Sequence, residues 1–158
     1  MARVSDAAAG ITTERTVGTT TIPGVELAQM PAYSDARRVL VVSYEGNHAP
    51  GKLGYTVSVR PRCSVGDHYH RRREERIIVV SGPVEFRLLD RRPGLESFGE
   101  WNRFTVEEAG LSVRVPARIA HTITAGPAGA VLQVVASREY ERDDDVRVLL
   151  SQIVLDDA

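Results

Sequence analysis

The stretch Gly66-Asp-His-Tyr-His-Arg-Arg-Arg-Glu-Glu-Arg-Ile-Ile-Val-Val-Ser-Gly82 decides how this chain folds. His68 and His70 stand two apart, Glu75 follows five residues on, and the apolar run Ile77 to Val80 leads to Gly82. Residues two apart on an extended strand share a face, so both imidazoles project into one interior. Glu75 enters a strand that is apolar on both faces. A carboxylate buried there without a partner is costly, so it has to meet a cation or hydrogen-bond donors. The plainer alternative is a salt bridge from Glu75 to one of the neighbouring arginines. Two imidazoles and a carboxylate are also ligand types for zinc, iron, manganese or nickel. A fourth candidate, His121, ends the segment Val115-Pro-Ala-Arg-Ile-Ala-His121, and His68, His70, Glu75 and His121 are expected to share one pocket. His48, in a loop of Gly, Asn and Pro, is expected at the surface.

Working outward, short β signals recur between turn residues. Arg38 to Tyr44 and Leu53 to Val59 precede the opening stretch. Val84 to Leu88 and Leu111 to Val115 alternate apolar and polar, Trp101 to Val106 is a weaker strand candidate, and Ala130 to Ala136 is mostly apolar. Ser81-Gly82, Arg92-Pro-Gly94, Ala109-Gly110 and Gly126-Pro127 mark the turns. This punctuation predicts an all-β sandwich or barrel, not a βαβ sheet. Residues 1–20 read as a flexible arm and 21–142 as one β domain. Residues 143–158 read as a helix, because Val146, Leu149, Leu150 and Ile153 follow i, i+3, i+4, i+7 spacing behind Asp143-Asp-Asp145.

The 158 residues suit one core. A net charge of −1 gives no bulk field toward nucleic acid or a membrane surface, so neither is expected as a partner. Only Lys52 among the 20 basic residues is lysine, so any single arginine is weak testimony to a role, and Arg71-Arg72-Arg73 reads as a solvated connection. Cys63 is alone and reads as a small packing residue at a strand end, which excludes an internal disulfide and fits a cytoplasmic location. No apolar run approaches the ~20 residues of a membrane span.

The two histidine segments together resemble the paired motifs of the cupin superfamily. The first has the form G, five residues, HxH, four residues, E, six residues, G, and this chain keeps it from His68 through Gly82, with Gly66 displaced toward His68. The second has the form G, five residues, PxG, two residues, H, three residues, N. Gly110, Pro116 and His121 match it, while Arg118 replaces the glycine and Ala125 the asparagine. The resemblance implies a single cupin jelly-roll barrel, here with a short C-terminal helix. It also implies that His68, His70, Glu75 and His121 hold a divalent metal, zinc before iron, manganese or nickel, and that the protein is a homodimer. Ile78 and Val80, opposite Glu75, would then need cover from a second sheet or subunit.

Within that superfamily, Val65-Gly-Asp-His-Tyr-His70 is similar to the Arg-Gly-x-His-Tyr segment of dTDP-4-dehydrorhamnose 3,5-epimerases, whose catalytic base falls on His68. Leu89-Asp-Arg-Arg-Pro-Gly-Leu-Glu-Ser-Phe-Gly-Glu-Trp101 resembles the same family's aspartate, arginine and Phe-Gly-x-Trp stretch. The family's arginine is Val65 here, its lysine falls on Glu75, and its general-acid tyrosine is missing beyond His121. These departures bring the chain closer to the cupin domains of capsular-polysaccharide synthesis and to hexulose isomerases. The implied activity is an isomerase or epimerase that abstracts a proton beside a carbonyl of a small molecule, either a keto-sugar nucleotide or a related biosynthetic intermediate. His68 would be its base or a metal ligand, but not both at once. Arg60 and Arg118 are candidates to grip the substrate, with Arg87 and Arg114 behind them, and Gln133 could line the pocket. An Fe(II) dioxygenase, and a polyketide-type cyclase or ligand-binding cupin with a structural metal, are the alternatives.

Overall fold

The computed structural model describes residues 15–44 and 51–152. The expectations for residues 1–14, for His48 and for Ile153 fall outside the described residues. Alternating apolar positions separated by Gly and Pro turns give thirteen strands among the described residues. They are β1 (Arg15–Thr19), β2 (Glu26–Gln29), β3 (Ala32–Ser34), β4 (Val39–Val41), β5 (Leu53–Val59), β6 (Ser64–His70), β7 (Glu75–Ser81), β8 (Val84–Asp90), β9 (Trp101–Val106), β10 (Leu111–Val115), β11 (Ile119–Ala125), β12 (Ala130–Ala136) and β13 (Asp145–Arg147). Six form one sheet in the order β1-β2-β10-β7-β12-β5, five form a second in the order β13-β6-β11-β8-β9, and β3 and β4 make a separate hairpin. The pairings are antiparallel throughout. Among the described residues no strand of one large sheet is hydrogen-bonded to a strand of the other, so the jelly roll is a two-sheet sandwich and not the closed barrel expected.

The core lies between the sheets. Val84, Phe86 and Leu88 alternate inward from β8 and meet Ile77, Val79, Val113, Val115, Leu132 and Val134 from the facing sheet. Phe86 stacks on Phe104 with ring centroids 5.3 Å apart. Full burial of each such side chain is worth roughly 1.5–3 kcal/mol, and this fixes the register on which the site depends.

The C-terminal helix is not formed among the described residues. Two single-turn 3-10 segments, Arg142–Asp144 and Leu150–Gln152, flank β13, which pairs with β6 through Asp145↔His70, Val146↔Tyr69 and Arg147↔His68. The helical spacing loses because β6 would otherwise leave an edge of unpaired backbone groups, and β13 satisfies it. Leu150 is still fully buried, in a small cluster with Leu89 and Ala120, as its apolar character requires. Arg15–Thr19, within the expected arm, instead pairs with β2 at the edge of the six-stranded sheet. The strand expected over Arg38 to Tyr44 narrows to β4. Cys63 is exposed in the β5–β6 turn and does not pack. Ile78 is 0% exposed within the single chain, so its cover comes from the chain itself. Arg76, on the same face, reaches the Met30 sulfur at 3.4 Å.

No helix among the described residues is long and apolar enough to cross a membrane.

Candidate functional site

Strand parity and one cross-strand pair assemble the site. His68 and His70 face inward from β6, and β11 places His121 directly opposite His68, with a register shift just after it. Gly66 makes that shift possible. It sits at φ +99°, and a Cβ there would stand 2.6 Å from the His121 carbonyl oxygen, so only glycine fits. The three rings touch: centroids are 4.6 Å apart for His68 and His70, 4.8 Å for His68 and His121, and 5.6 Å for His70 and His121. Glu75, the first residue of β7, arrives from the opposite sheet and is 2% exposed. All four expected residues therefore meet at one place between the sheets.

The carboxylate of Glu75 is heavily engaged. Its Oε1 accepts from the Tyr55 hydroxyl at 3.0 Å and lies 3.2 Å from both His70 Nε2 and Arg73 Nη2. Its Oε2 faces His121 Nε2 at 3.5 Å. Burial alone would raise its pKa, but hydrogen bonds from His121 and His70, and their charges, hold it well below the usual carboxylate range. Burial, and then the Glu75 charge beside it, push the Tyr55 phenol up, so Tyr55 remains a donor.

The imidazoles divide by what their nitrogens meet. His70 Nδ1 is 2.7 Å from Asp145 Oδ1, and its Nε2 faces Glu75, so both ring nitrogens lie against carboxylates. Burial lowers its pKa and Arg73 adds to that, yet the Glu75 hydrogen bond and charge, with Asp145, raise it above the ordinary value. His121 Nδ1 lies 3.1 Å from the Ile119 carbonyl oxygen, which orients the ring, and its Nε2 faces Glu75. His68 makes no side-chain hydrogen bond among the described residues. Burial, and then the neighbouring His121 and His70, push its pKa down to about 4, so it is neutral at pH 7.

The other candidates separate. Arg118 occupies the turn between β10 and β11 at φ 66°, the left-handed conformation for which the second motif carries glycine. Its backbone N–H donates to the His70 carbonyl at 2.7 Å, so it lies beside the site. Arg60 lies just past the end of β5, five residues beyond Tyr55 and thus about 16 Å further along an extended chain. Gln133 points outward, since Leu132 and Val134 take the inward positions, and its Oε1 accepts from Thr56 Oγ1 at 2.8 Å on the outer face. Arg87 pairs with Glu85 at 2.8 Å and Arg114 with Glu74 at 2.8 Å, both on outer faces.

Three contributors were not singled out from the sequence. Tyr55 was legible by parity, because it shares a face with Val57 and Val59. Asp145 was assigned to a helix cap. Arg73, 5% exposed, was hidden among nineteen arginines and a run of three.

Against a divalent metal, the donor set divides. The nitrogens of His68, His70 and His121 come within 4.8 Å of one another, a spacing that a cation could draw together. The fourth donor does not fit. The Arg73 guanidinium lies 3.2 Å from Glu75 Oε1 and 3.3 Å from His70 Nε2, so positive charge already stands against two of the four.

Comparison with known proteins follows the same lines. The family model described as "FdtA: WxcM-like, C-terminal" matches residues 23–151. Comparison with curated proteins gives no match. The fold is similar to NovW, a 4-keto-6-deoxy sugar epimerase from the novobiocin biosynthetic gene cluster of Streptomyces spheroides, with TM-score 0.74 and 18% identity over 91% of this chain and 78% of that one. It is similar to a dTDP-6-deoxy-D-glucose-3,5-epimerase from Legionella pneumophila in complex with dTDP-4-keto-L-rhamnose, with TM-score 0.76 and 18% identity over 91% and 83% of the two chains. It is also similar to QdtA, a sugar 3,4-ketoisomerase from Thermoanaerobacterium thermosaccharolyticum in complex with TDP, with TM-score 0.65 and 21% identity over 81% and 90%.

Proposed function

The chain belongs to the WxcM-like C-terminal (FdtA) family, and from that premise we propose that it is an isomerase or epimerase of a keto-sugar nucleotide, with His68 as its base. The names of its fold neighbours support the reaction class. The single observation that carries the residue assignment is the inequality of the three imidazoles. His70 is held at both nitrogens and His121 is oriented by the Ile119 carbonyl, whereas His68 keeps its nitrogens free beside them. A general base needs an unprotonated nitrogen and access to the substrate, and His68 is neutral at pH 7 and half-buried, whereas His70 and His121 are buried.

The chemistry needs no net oxidation. His68 takes the proton from the carbon next to the ketone, and the electron pair of that C–H bond delocalises onto the carbonyl oxygen as an enolate. Return of a proton to the opposite face of the same carbon gives the epimer. In a ketoisomerase the carbon that loses its proton carries a hydroxyl, and the intermediate is an enediol. Loss of that hydroxyl proton, with delivery of a proton to the former carbonyl carbon, then moves the ketone by one position. The His70 ring, its pKa raised by the Glu75 and Asp145 carboxylates that flank it, lies 4.6 Å from the His68 ring centre, where positive charge would favour the anionic intermediate. Arg118, whose backbone N–H donates to the His70 carbonyl, is our candidate to meet the anionic part of the substrate.

The test uses TDP-4-keto-6-deoxyglucose, the sugar nucleotide bound by a fold neighbour. In deuterated buffer the wild-type protein should wash out the proton beside the ketone by NMR. His68→Asn, with an unchanged circular dichroism spectrum, should lose that exchange. Exchange at the wild-type rate in His68→Asn would overturn the assignment.

A further inference from the structure

We propose that Arg73 is the site's built-in cation. Its guanidinium holds the position that a divalent metal would take in the HxH and Glu set, and it keeps one from binding there. This inference concerns the cation alone and stands apart from the choice of substrate.

The connection between β6 and β7 is shaped to deliver this side chain. The backbone N–H groups of Arg72 and Arg73 donate to the two oxygens of Asp144 at 2.8 and 3.3 Å, and that of Arg71 donates to the Asp144 carbonyl at 2.8 Å. Three consecutive amides thus wrap one buried aspartate. Arg72 is left outside, on Glu141 and Asp143, while Arg73 turns in. Inside, its Nη2 is 3.2 Å from Glu75 and 4.0 Å from Asp145, while its Nε and Nη1 are buried without a hydrogen-bonding partner among the described residues. A guanidinium with two unmet groups is costly to bury, so its placement has to be carried by the charges it faces.

Those charges are the ones a metal would need. Glu75 Oε1 already has three donors around it, Tyr55, His70 and Arg73. A dication entering among His68, His70 and His121 would come within a few ångströms of a guanidinium that cannot lose its proton, and the two would repel strongly in so buried a place. Removing the guanidinium leaves three imidazoles and a carboxylate at one spot, which is a donor set suited to zinc or cobalt. Arg73 therefore acts as a positioning residue for Glu75 and His70 and as the barrier to metal.

The experiment titrates purified wild type, Arg73→Ala, Arg73→Lys and the Arg73→Ala/His121→Ala double variant with Zn(II) by calorimetry and with Co(II) by visible absorption. Wild type and Arg73→Lys should show no stoichiometric site and no cobalt d–d bands. Arg73→Ala should gain Zn(II) affinity by roughly 100-fold or more, the upper scale on which outer partners move a metal site, and the added His121→Ala should abolish the gain. Stoichiometric Zn(II) binding by wild type that His121→Ala removes would overturn the proposal. So would a folded Arg73→Ala that gains nothing. Should Arg73→Ala fail to fold, the wild-type titration still decides, with binding against the proposal and its absence, shared by Arg73→Lys, in favour.

Discussion

Replacing Glu75 by glutamine keeps the side chain's size and removes its charge, which isolates what the carboxylate does for Arg73. In wild type the guanidinium faces Glu75 Oε1 at 3.2 Å and, among the described residues, has only Asp145, at 4.0 Å, as a second anion. Its Nε and Nη1 already lack partners among the described residues. Breaking a buried pair from one side costs about 3–5 kcal/mol, and the low end, about 3 kcal/mol, applies because the amide oxygen still accepts one bond. For a domain of this size that is a fall in Tm of about 6–12 °C. Arg73→Met should cost less, about 1 kcal/mol, because Glu75 keeps Tyr55, His70 and His121 and the methionine fills the space of the stem. The double variant should cost less than the sum of the two by about 2 kcal/mol, the signature of residues in direct contact. Urea unfolding in the presence of chelator, followed by far-UV circular dichroism and by the fluorescence of the single tryptophan, Trp101, measures all three. Equal costs for the two single variants, or additive costs in the double, would refute the view that Glu75 is what keeps Arg73 in place.

Two further perturbations test the geometry. The folded pKa of His68, about 4, lies below the ordinary 6.5, so unfolding takes up a proton between these values and stability falls as pH drops from 6.5 toward 4, by at most about 3 kcal/mol. His68→Asn should lack that component, and a variant with the wild-type slope would contradict the shift. His70, with its raised pKa, acts in the opposite sense, and its contribution is lost as pH rises above 6.5. Gly66→Ala sets a Cβ 2.6 Å from the His121 carbonyl oxygen at a φ of +99°, so it should cost about 2 kcal/mol or more in urea unfolding and separate His121 from His68. An unchanged midpoint would show that the shift after His121 does not depend on glycine.

What was legible in the sequence was legible through period and spacing. Two-residue parity put His68 and His70 on one face, and the turn at Pro116 to Arg118 set His121 opposite them. The requirement that a buried carboxylate find a partner brought Glu75 into the same space. The alternative of a salt bridge from Glu75 to a neighbouring arginine is also present, in Arg73, together with the histidine cluster. Which arginine it would be could not be read from a run of three, because the choice depends on Asp144, some seventy residues away, capturing the amides of the loop. The same long-range demand defeated the helical spacing of the C-terminal segment. Local periodicity favoured a helix, but the open edge of β6 and the buried His70 Nδ1 were better met by an extended Asp145–Arg147. Gln133 and Arg60 lie apart from the histidine cluster for simpler reasons, one of parity and one of distance along its strand.

The central claim is that His68 abstracts the proton beside the ketone. The most direct measurement is solvent deuterium incorporation into TDP-4-keto-6-deoxyglucose, followed by NMR, with wild type and His68→Asn compared at equal concentration and in chelator. Exchange by wild type, its loss in His68→Asn and its indifference to chelator are the results this account predicts. Exchange that survives in His68→Asn, or that chelator abolishes in wild type and zinc restores, would contradict it.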